Sequence, residues 1–188
     1  MDLYLIRHTR PAIDSGICYG RLDVALPPDF AVPAARLQEA LPPGVPLVTA
    51  EAQRCRLLAA HLATALRSKL TVDDRLRELD FGEWEGRPWH EIPRAQTDAW
   101  TKDVWNHAAP GGESYAAMYA RVRAVWETLL DRDLEALALI GSAGPLRALL
   151  TIALELPTDA FVRLHLDYGG IAKLSDATGG WRLEFANR

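Results

Sequence analysis

The sequence predicts an α/β fold with a largely parallel central sheet. Short apolar runs alternate with segments of helical periodicity, and each run ends at a polar or glycine-rich turn. The runs with strand character are Leu3 to Ile6, Val45 to Thr49 and Ala136 to Ile140. Because a parallel strand needs a long crossover connection, usually a helix, this alternation favours a parallel sheet over an antiparallel one.

Helical periodicity is clearest in three segments, residues 54–68, 114–132 and 145–156. Ser114 follows Pro-Gly-Gly-Glu and is predicted to cap the second helix through its side chain. Pro145 is predicted to open the third helix, because its fixed φ angle suits the first helical position.

Two other segments are dominated by turn-forming residues. Prolines predict that residues 27–46 are irregular, with at most a short helix around residues 34–41. Residues 169–185 contain two strand-like runs around a turn rich in Asp, Thr and Gly. That pattern predicts a C-terminal hairpin that closes the sheet.

Length and composition predict a single domain over residues 1–188, since 49% of the chain is apolar and 24% is charged. The formal net charge of -4 gives no electrostatic reason for binding to nucleic acid or to an anionic membrane. Cys18 and Cys55 stand in unrelated contexts, so neither a disulfide framework nor a thiolate metal site is indicated. The N-terminal apolar run is too short for a signal peptide or a membrane span, and a reducing cytoplasm fits best.

Basic side chains follow the first two predicted strands. They are Arg7, His8 and Arg10 after the first strand, and Arg54 and Arg56 after the second. In an open α/β sheet the ligand cleft lies outside the carboxyl ends of the strands, so these turns should converge at one edge. Guanidinium groups offer paired donors to phosphate oxygens, and an imidazole can attack phosphorus. The pattern indicates a phosphate site, although a lone histidine at a strand end is more often structural.

Five motifs, in this order and at these intervals, resemble the histidine phosphatase superfamily, also called the phosphoglycerate mutase-like family, over nearly the whole chain. They are LYLIRHTRP, GICYGRLDVAL, AEAQRCRLLA, RLRELDFGEWEGRPWHEI and PGGESYAAM. The Thr-Arg-Pro after the histidine, the CYG and the DFGEWEG are most similar to the α-ribazole phosphatase branch, which acts late in cobalamin synthesis. The resemblance implies a three-layer α/β/α sandwich with a largely parallel central sheet.

The resemblance also implies roles for individual residues. His8 would take the phosphoryl group as phosphohistidine, while Arg7 and Arg54 hold the phosphate oxygens. Glu78 would protonate the leaving alkoxide and then, as a base, draw a proton from the attacking water. The positions that would line the substrate are Thr9, Arg10, Tyr19, Gly20 and Ala143.

Several of these assignments have competitors in the sequence. Arg56 could occupy the place of Arg54, and either could be an exposed helix residue. Glu83 and Glu85 compete with Glu78 for the role of general acid. The tryptophans could roof a cleft for an apolar leaving group or simply pack in the core; they are Trp84, Trp89, Trp100 and Trp105.

Ser142 stands where the sequence departs from the superfamily. The family motif after this strand is His-x-Gly-x-x-Arg, and residues 142–147 match it except for the histidine. A serine hydrolase is a poor alternative. Its nucleophile turn needs a small residue at position 140, which is Ile, and its triad would have to use Asp159 and His165.

The serine is expected to weaken catalysis, whether it is a natural variant or an engineered replacement. A hydroxyl still donates a hydrogen bond to phosphate, but it lacks the charge of an imidazolium. The loss is worth about 1.5 to 4 kcal/mol, or roughly ten- to a thousandfold in rate. Of the other histidines, His107 is the one predicted to lie in a loop that could border the cleft.

The sequence therefore predicts a phosphomonoesterase that acts on a small phosphorylated metabolite, α-ribazole 5'-phosphate being one candidate. The predicted scheme needs no cofactor and no metal. The alternative is an inactive pseudo-phosphatase that binds a phosphorylated ligand or a protein. Ser142 favours that alternative, and the intact positions of Arg7, His8, Arg54 and Glu78 oppose it.

Overall fold

The computed structural model describes residues 1–131, 133–176 and 180–188. Its strands are β1 (Asp2–Arg7), β2 (Leu47–Thr49), β3 (Leu70–Val72), β4 (Ala136–Gly141), β5 (Ile171–Asp176) and β6 (Trp181–Phe185). Its α-helices are α1 (Ala31–Ala40), α2 (Gln53–Leu66), α3 (Arg94–Lys102), α4 (Tyr115–Leu130) and α5 (Ala143–Ala153). Short 3-10 helices occupy much of the chain between β3 and α3.

The described strands form one sheet in the order β3-β2-β4-β1-β5-β6. The first four of these are parallel, whereas β5 runs antiparallel to β1 and β6 runs antiparallel to β5. The prediction of an α/β fold with a largely parallel sheet is confirmed.

The helices cover the sheet in two groups, since α1 packs on α2 and α4 packs on α5. The connections from β1 to β2 and from β2 to β3 advance toward one edge of the sheet, and the connection from β3 to β4 returns. Because such crossovers are right-handed, α1 and α2 lie on one face and α4 on the other. The result is the three-layer arrangement of a phosphoglycerate mutase-like fold.

Strands β1 and β4 are neighbours at the centre, and their connections leave in opposite directions. The register pairs Arg7 with Gly141, so His8 and Ser142 follow side by side at the carboxyl edge. A crevice outside this edge, at the point where the strand order reverses, is where open α/β sheets bind ligands. All residues from Leu3 to Ile6 are buried and anchor this edge in the core.

Two helix predictions hold to within two residues at each end, because α2 and α4 carry clear apolar stripes. The Ser114 hydroxyl accepts a hydrogen bond from the Ala117 amide at 3.3 Å, as the predicted cap requires. Strand β3 and helix α3 were not predicted; α3 is polar on average and none of its residues is fully buried, so its apolar positions are too few to reveal it. None of the described helices combines the length and apolar character that crossing a bilayer requires.

Helix α5 begins earlier than the sequence predicts. Its N-cap is Ser142, which has an extended backbone, and Pro145 occupies the third helical position instead of the first. A proline is tolerated there because the first amides of a helix have no intrahelical partner. The shift places Ala143 and Gly144 within the first turn, next to the site.

The proline-rich segment is more ordered than predicted. A 3-10 helix, Pro28–Phe30, leads directly into α1, which accommodates Pro33 in its first turn. At the other end of the chain β5 and β6 pair as the predicted hairpin. The hairpin's turn, residues 177–179, and Arg132 at the end of the second predicted helix lie outside the described residues.

Candidate active site

His8 is held at the end of β1 with only 1% of its surface exposed. Its Nδ1 atom donates to the Thr9 carbonyl at 2.7 Å, which leaves the lone pair of Nε2 free. Burial lowers the pKa of His8 to about 3, and the positive charges of Arg54 and Arg7 contribute to that shift. The ring is therefore neutral at physiological pH, which is the form that can act as a nucleophile.

Arg7 lies beside His8 and is fixed by its surroundings. Its Nη1 atom donates to the Leu166 carbonyl at 2.7 Å. Its guanidinium lies over the Tyr168 ring, 3.7 Å from the centroid, and this cation–π contact holds the group against the wall of the site. Tyr168 also lies 5.5 Å from the imidazole of His8, between ring centroids.

Arg54 is a fully buried arginine in the first turn of α2. It donates to the carbonyls of Gly20 at 2.5 Å and Leu22 at 2.9 Å, and so ties the loop after β1 to the helix. Its Nη2 atom also reaches the Ser142 hydroxyl at 3.4 Å. These bonds fix the Arg54 guanidinium near His8, whose pKa its positive charge helps to lower.

Ser142 is 2% exposed and faces Arg54 instead of capping its own helix. Its hydroxyl lies 3.9 Å from the Sγ atom of Cys55. Burial raises the pKa of the Cys55 thiol to about 11, so the thiol is neutral and adds no charge. The side chains in contact with Ser142 therefore supply one positive charge, that of Arg54.

Glu78 reaches the site from the loop after β3. Its carboxylate accepts from the Leu79 amide at 2.8 Å and from the Gly144 amide at 3.1 Å, which docks it on the first turn of α5. The loop itself is held by Arg121, which donates to the carbonyls of Arg75, Arg77 and Glu78. The fold thus brings the Glu78 carboxylate to the first turn of α5, two residues after Ser142.

The competing residues differ from Glu78 and Arg54 in burial and in contacts. Glu83 is exposed, and the Glu85 carboxylate is occupied by the backbone amides of Arg21, Leu22 and Phe81. Arg56 is exposed on α2 and borders a recess that Glu78 also lines, whereas Arg54 is fully buried. The geometry therefore favours Glu78 and Arg54 over their competitors.

Three polar atoms around His8 are buried without a hydrogen-bond partner among the described residues. They are Arg7 Nε, Arg54 Nε and Thr9 Oγ1. Buried polar groups are nearly always paired, so three such groups around one imidazole suit a ligand that offers several acceptors. A phosphate supplies such acceptors.

The remaining predicted substrate positions surround this centre. The Tyr19 hydroxyl bonds to the Tyr168 hydroxyl at 2.5 Å, and burial together with this bond raises the pKa of Tyr19. Gly20 packs so closely on the Leu79 carbonyl that a Cβ atom would overlap it. Arg10 is exposed and lies 5.4 Å from the Tyr168 centroid, at the rim, and Ala143 lines an apolar cavity beside Glu78.

The tryptophans divide between packing and the site. Trp84, Trp89 and Trp100 form edge-to-face or tilted contacts with one another, and Trp105 packs on Tyr115. Of these four, Trp100 borders the cavity. His107 is exposed and lies 3.7 Å from the Asp103 carboxylate. It therefore does not take the place of the histidine that the family motif has at position 142.

Sequence reasoning missed Tyr168, Tyr115 and Arg121. Tyr168 lies in Asp-Tyr-Gly-Gly before β5, and nothing in that stretch marks it as a partner of Arg7. Arg147 was part of the recognised motif but was not assigned a role. The sequence did contain a signal for Arg147. A helix with Ser142 as its N-cap residue carries Arg147 in its first turns, within reach of the site.

The fold and the site together define a class: an α/β protein whose anion site combines a buried neutral histidine with two arginines. The family model that matches the chain is that of the histidine phosphatase superfamily (branch 1), over residues 3–188. The chain belongs to the histidine phosphatase superfamily, and the predicted enzyme class, a phosphatase of this superfamily, is confirmed.

Known proteins of this class are similar over most of the chain. A protein of Hydrogenobacter thermophilus, provisionally named phosphoserine phosphatase 2, is 30% identical over 178 residues, covering 92% of this chain and 88% of its own. Three mycobacterial relatives are longer, and the chain spans 35% of their length.

Two solved structures extend the comparison. The mycobacterial glucosyl-3-phosphoglycerate phosphatase Rv2419c has a TM-score of 0.84 at 25% identity, covering 97% of this chain and 96% of its own. The α-ribazole phosphatase of Shigella flexneri has a TM-score of 0.91 at 20% identity, covering 100% and 96%, and is evidence for the fold alone.

Proposed function

We propose that residues 1–188 form a single histidine phosphatase-like domain that hydrolyses a small phosphomonoester through a phosphohistidine on His8. The observation that carries the proposal is the state of this residue: a buried neutral imidazole with Nδ1 committed to the Thr9 carbonyl and Nε2 free. Arg7 and Arg54 flank it with unpartnered buried nitrogens, which suits an anionic ligand.

In the first step Nε2 of His8 attacks phosphorus and the bond from phosphorus to the ester oxygen breaks. Glu78, in its protonated form, gives its proton to the leaving oxygen, so an alcohol departs. In the second step water attacks phosphorus, the phosphorus–nitrogen bond breaks, and the Glu78 carboxylate takes a proton from the water. Inorganic phosphate leaves, and His8 and Glu78 return to their starting states.

Arg7 and Arg54 act by holding the equatorial oxygens and stabilising the charge of the transferring group. Ser142 contributes at most a neutral hydrogen bond where an imidazolium would add charge. We therefore expect turnover below that of an enzyme with histidine at this position.

The substrate is a small phosphorylated metabolite. The similar proteins are named for different phosphate esters. The names of similar proteins point to phosphoserine, glucosyl-3-phosphoglycerate and α-ribazole phosphate as acceptable test compounds. α-Ribazole 5'-phosphate, and with it a place in cobalamin synthesis, is supported by the motif resemblance. The two cysteines, both free and buried, suit a reducing cytoplasm.

A second candidate is a pseudo-phosphatase that binds a phosphorylated ligand without turnover. Ser142 is the observation that favours it. It predicts phosphate binding that depends on Arg7 and Arg54 but no covalent phosphohistidine.

Trapping of the intermediate tests the proposal. The protein is mixed with p-nitrophenyl phosphate and with the three metabolites above, quenched, and assayed for an acid-labile phosphate on His8 and for released phosphate. We expect both in the parent, neither in His8→Ala, and both in the control His107→Ala, whose side chain is exposed. Phosphate binding without any label or release would support the pseudo-phosphatase instead.

A further inference from the structure

Beside Glu78 the structure contains a cavity of about 160 Å³ with mainly apolar walls. Most of the side chains that line it are apolar, among them Phe81, Trp100, Val104, Tyr115, Met118 and Phe161. Ala143 and Gly144, from the first turn of α5, border it together with Glu78. The cavity thus meets the phosphate centre at the residue proposed to protonate the leaving oxygen.

The aromatic walls of the cavity are fixed by packing against one another. Trp100 makes edge-to-face contacts with Phe81 and Trp84, each at 6.0 Å between centroids. Tyr115 and Phe161 are stacked, with an interplanar angle of 12°. A preformed apolar pocket favours an apolar occupant, and an engineered cavity of about 150 Å³ in another protein accepts benzene.

The cavity also carries two polar groups without partners. Arg147 lines it, and its Nε atom is buried with no acceptor among the described residues. Tyr115 is only 3% exposed, and its hydroxyl likewise has no partner among those residues. A guanidinium and a phenol that line the same cavity together match an oxygen acceptor, and best an anionic one.

Burial removes water from the Arg147 guanidinium and thereby lowers its pKa. The carboxylate of Glu78 partly offsets this effect. A carboxylate brought by a ligand would offset it further. A second recess that Glu78 also borders, about 240 Å³, is lined mainly by charged side chains, among them Arg77, which pairs with Glu51.

We propose that this cavity is the leaving-group subsite, and that the preferred substrate is a phosphomonoester whose alcohol carries a flat ring of benzene size with a carboxylate on it. The ring packs between the aromatic walls, and the carboxylate accepts from Arg147 and Tyr115. This inference rests on the proposed function, because it places the leaving group at Glu78.

Binding of non-hydrolysable phosphonates tests the subsite without requiring turnover. Calorimetry compares methylphosphonate, benzylphosphonate and 4-carboxybenzylphosphonate on the full chain. We expect benzylphosphonate to bind about 30-fold more tightly than methylphosphonate, as burial of one phenyl ring implies. The carboxylate should add about tenfold more. Equal affinities for the three compounds would overturn the proposal.

Variants assign the two parts of the preference. Arg147→Gln should abolish the tenfold gain in affinity that the carboxylate gives. It should keep the preference for benzylphosphonate over methylphosphonate. Val104→Phe fills the cavity and should lower the benzyl preference at least tenfold. The matched control is Val162→Phe, because Val162 is 60% exposed and lies outside the cavity. An unchanged ranking in Arg147→Gln and Val104→Phe would contradict the assignment.

The same series as phosphate esters separates the two proposals. If small phosphates are hydrolysed through His8 but the ranking is absent, the subsite is wrong and the proposed function stands. If the phosphonate ranking holds and no ester is hydrolysed or labels His8, the cavity binds as inferred and the proposed phosphatase activity is wrong.

Discussion

The Nη2 atom of Arg54 lies 3.4 Å from the Oγ atom of Ser142, and both side chains are buried. Arg54 uses its shorter bonds on the carbonyls of Gly20 and Leu22. These two bonds hold the Arg54 guanidinium in place without help from Ser142. A change at position 142 should alter catalysis more than folding.

Ser142→His restores the imidazole that the superfamily motif places at this position. We expect kcat for p-nitrophenyl phosphate to rise roughly ten- to a thousandfold, because a charged donor is added beside the developing transition state. Steady-state kinetics measure the gain. Ser142→Ala is the matched control and should lower kcat less than about threefold, since the hydroxyl contact is long. A Ser142→His protein that folds and shows no gain would argue against the proposed position of the phosphate.

Glu78→Gln removes the proposed proton donor. For an alkyl phosphate, kcat should fall about 10²- to 10⁴-fold, because the alkoxide then leaves without a proton. For p-nitrophenyl phosphate the rate of the first step should fall much less, since p-nitrophenolate leaves readily without a proton. Single-turnover kinetics on both esters measure the difference.

The other two glutamates serve as controls for that assignment. Glu83→Gln should keep parent activity because its side chain is exposed. Glu85→Gln should lower the free energy of unfolding by about 1 to 3 kcal/mol, since its carboxylate accepts from three backbone amides. If Glu83→Gln instead reproduced the selective loss on alkyl phosphates, Glu78 would not be the acid.

The depressed pKa of His8 makes stability depend on pH. Its ordinary value is 6.5 and its folded value is about 3, so between these limits the unfolded state binds more protons than the folded one. The contribution is complete above pH 6.5 and is lost as pH falls, by up to about 1.4 kcal/mol per pH unit, until about pH 3.

Urea denaturation at pH 7 and at pH 5 measures this dependence. His8→Asn lacks the titrating group, so its stability should fall less over the same interval. Carbon chemical shifts of the His8 ring should report a neutral imidazole down to pH 5. A His8 resonance that titrates with a midpoint near 6.5 would contradict the buried neutral state.

Gly144 is needed for the docking of Glu78. A Cβ atom here would overlap the Oε1 atom of Glu78 and lie 3.2 Å from the Met118 sulfur. Gly144→Ala should therefore displace the carboxylate and lower kcat on alkyl phosphates at least tenfold. Alanine favours the helix, so the loss of stability should be small.

Gly141→Ala is the comparison for that variant. A Cβ atom there would lie 3.4 Å from the Leu146 side chain, an ordinary contact, so kcat should stay within about threefold of the parent. Steady-state kinetics and thermal unfolding of both variants separate displacement of Glu78 from general damage to the turn. Equal kcat in the two variants would show that Gly144 has no special role.

The sequence by itself determined the fold class, the carboxyl ends of β1, β2 and β4 to within one residue, and most of the helices. The apolar run of β1 and the basic residues that follow it placed Arg7 and His8 at a sheet edge, because local periodicity and burial act over a few residues. The motif also located Ser142, since each position in it is fixed by distance from the end of β4.

The tertiary structure decided between residues that the sequence left equivalent. Arg54 and Arg56 are two residues apart on α2 and therefore point to different sides of the helix, and only packing on the sheet buries Arg54. Glu78 was distinguished from Glu83 and Glu85 by its contact with Gly144, 66 residues away in sequence. The positions of Tyr168, Tyr115 and Arg147 beside the candidate site likewise depend on contacts between distant segments, which no local pattern encodes.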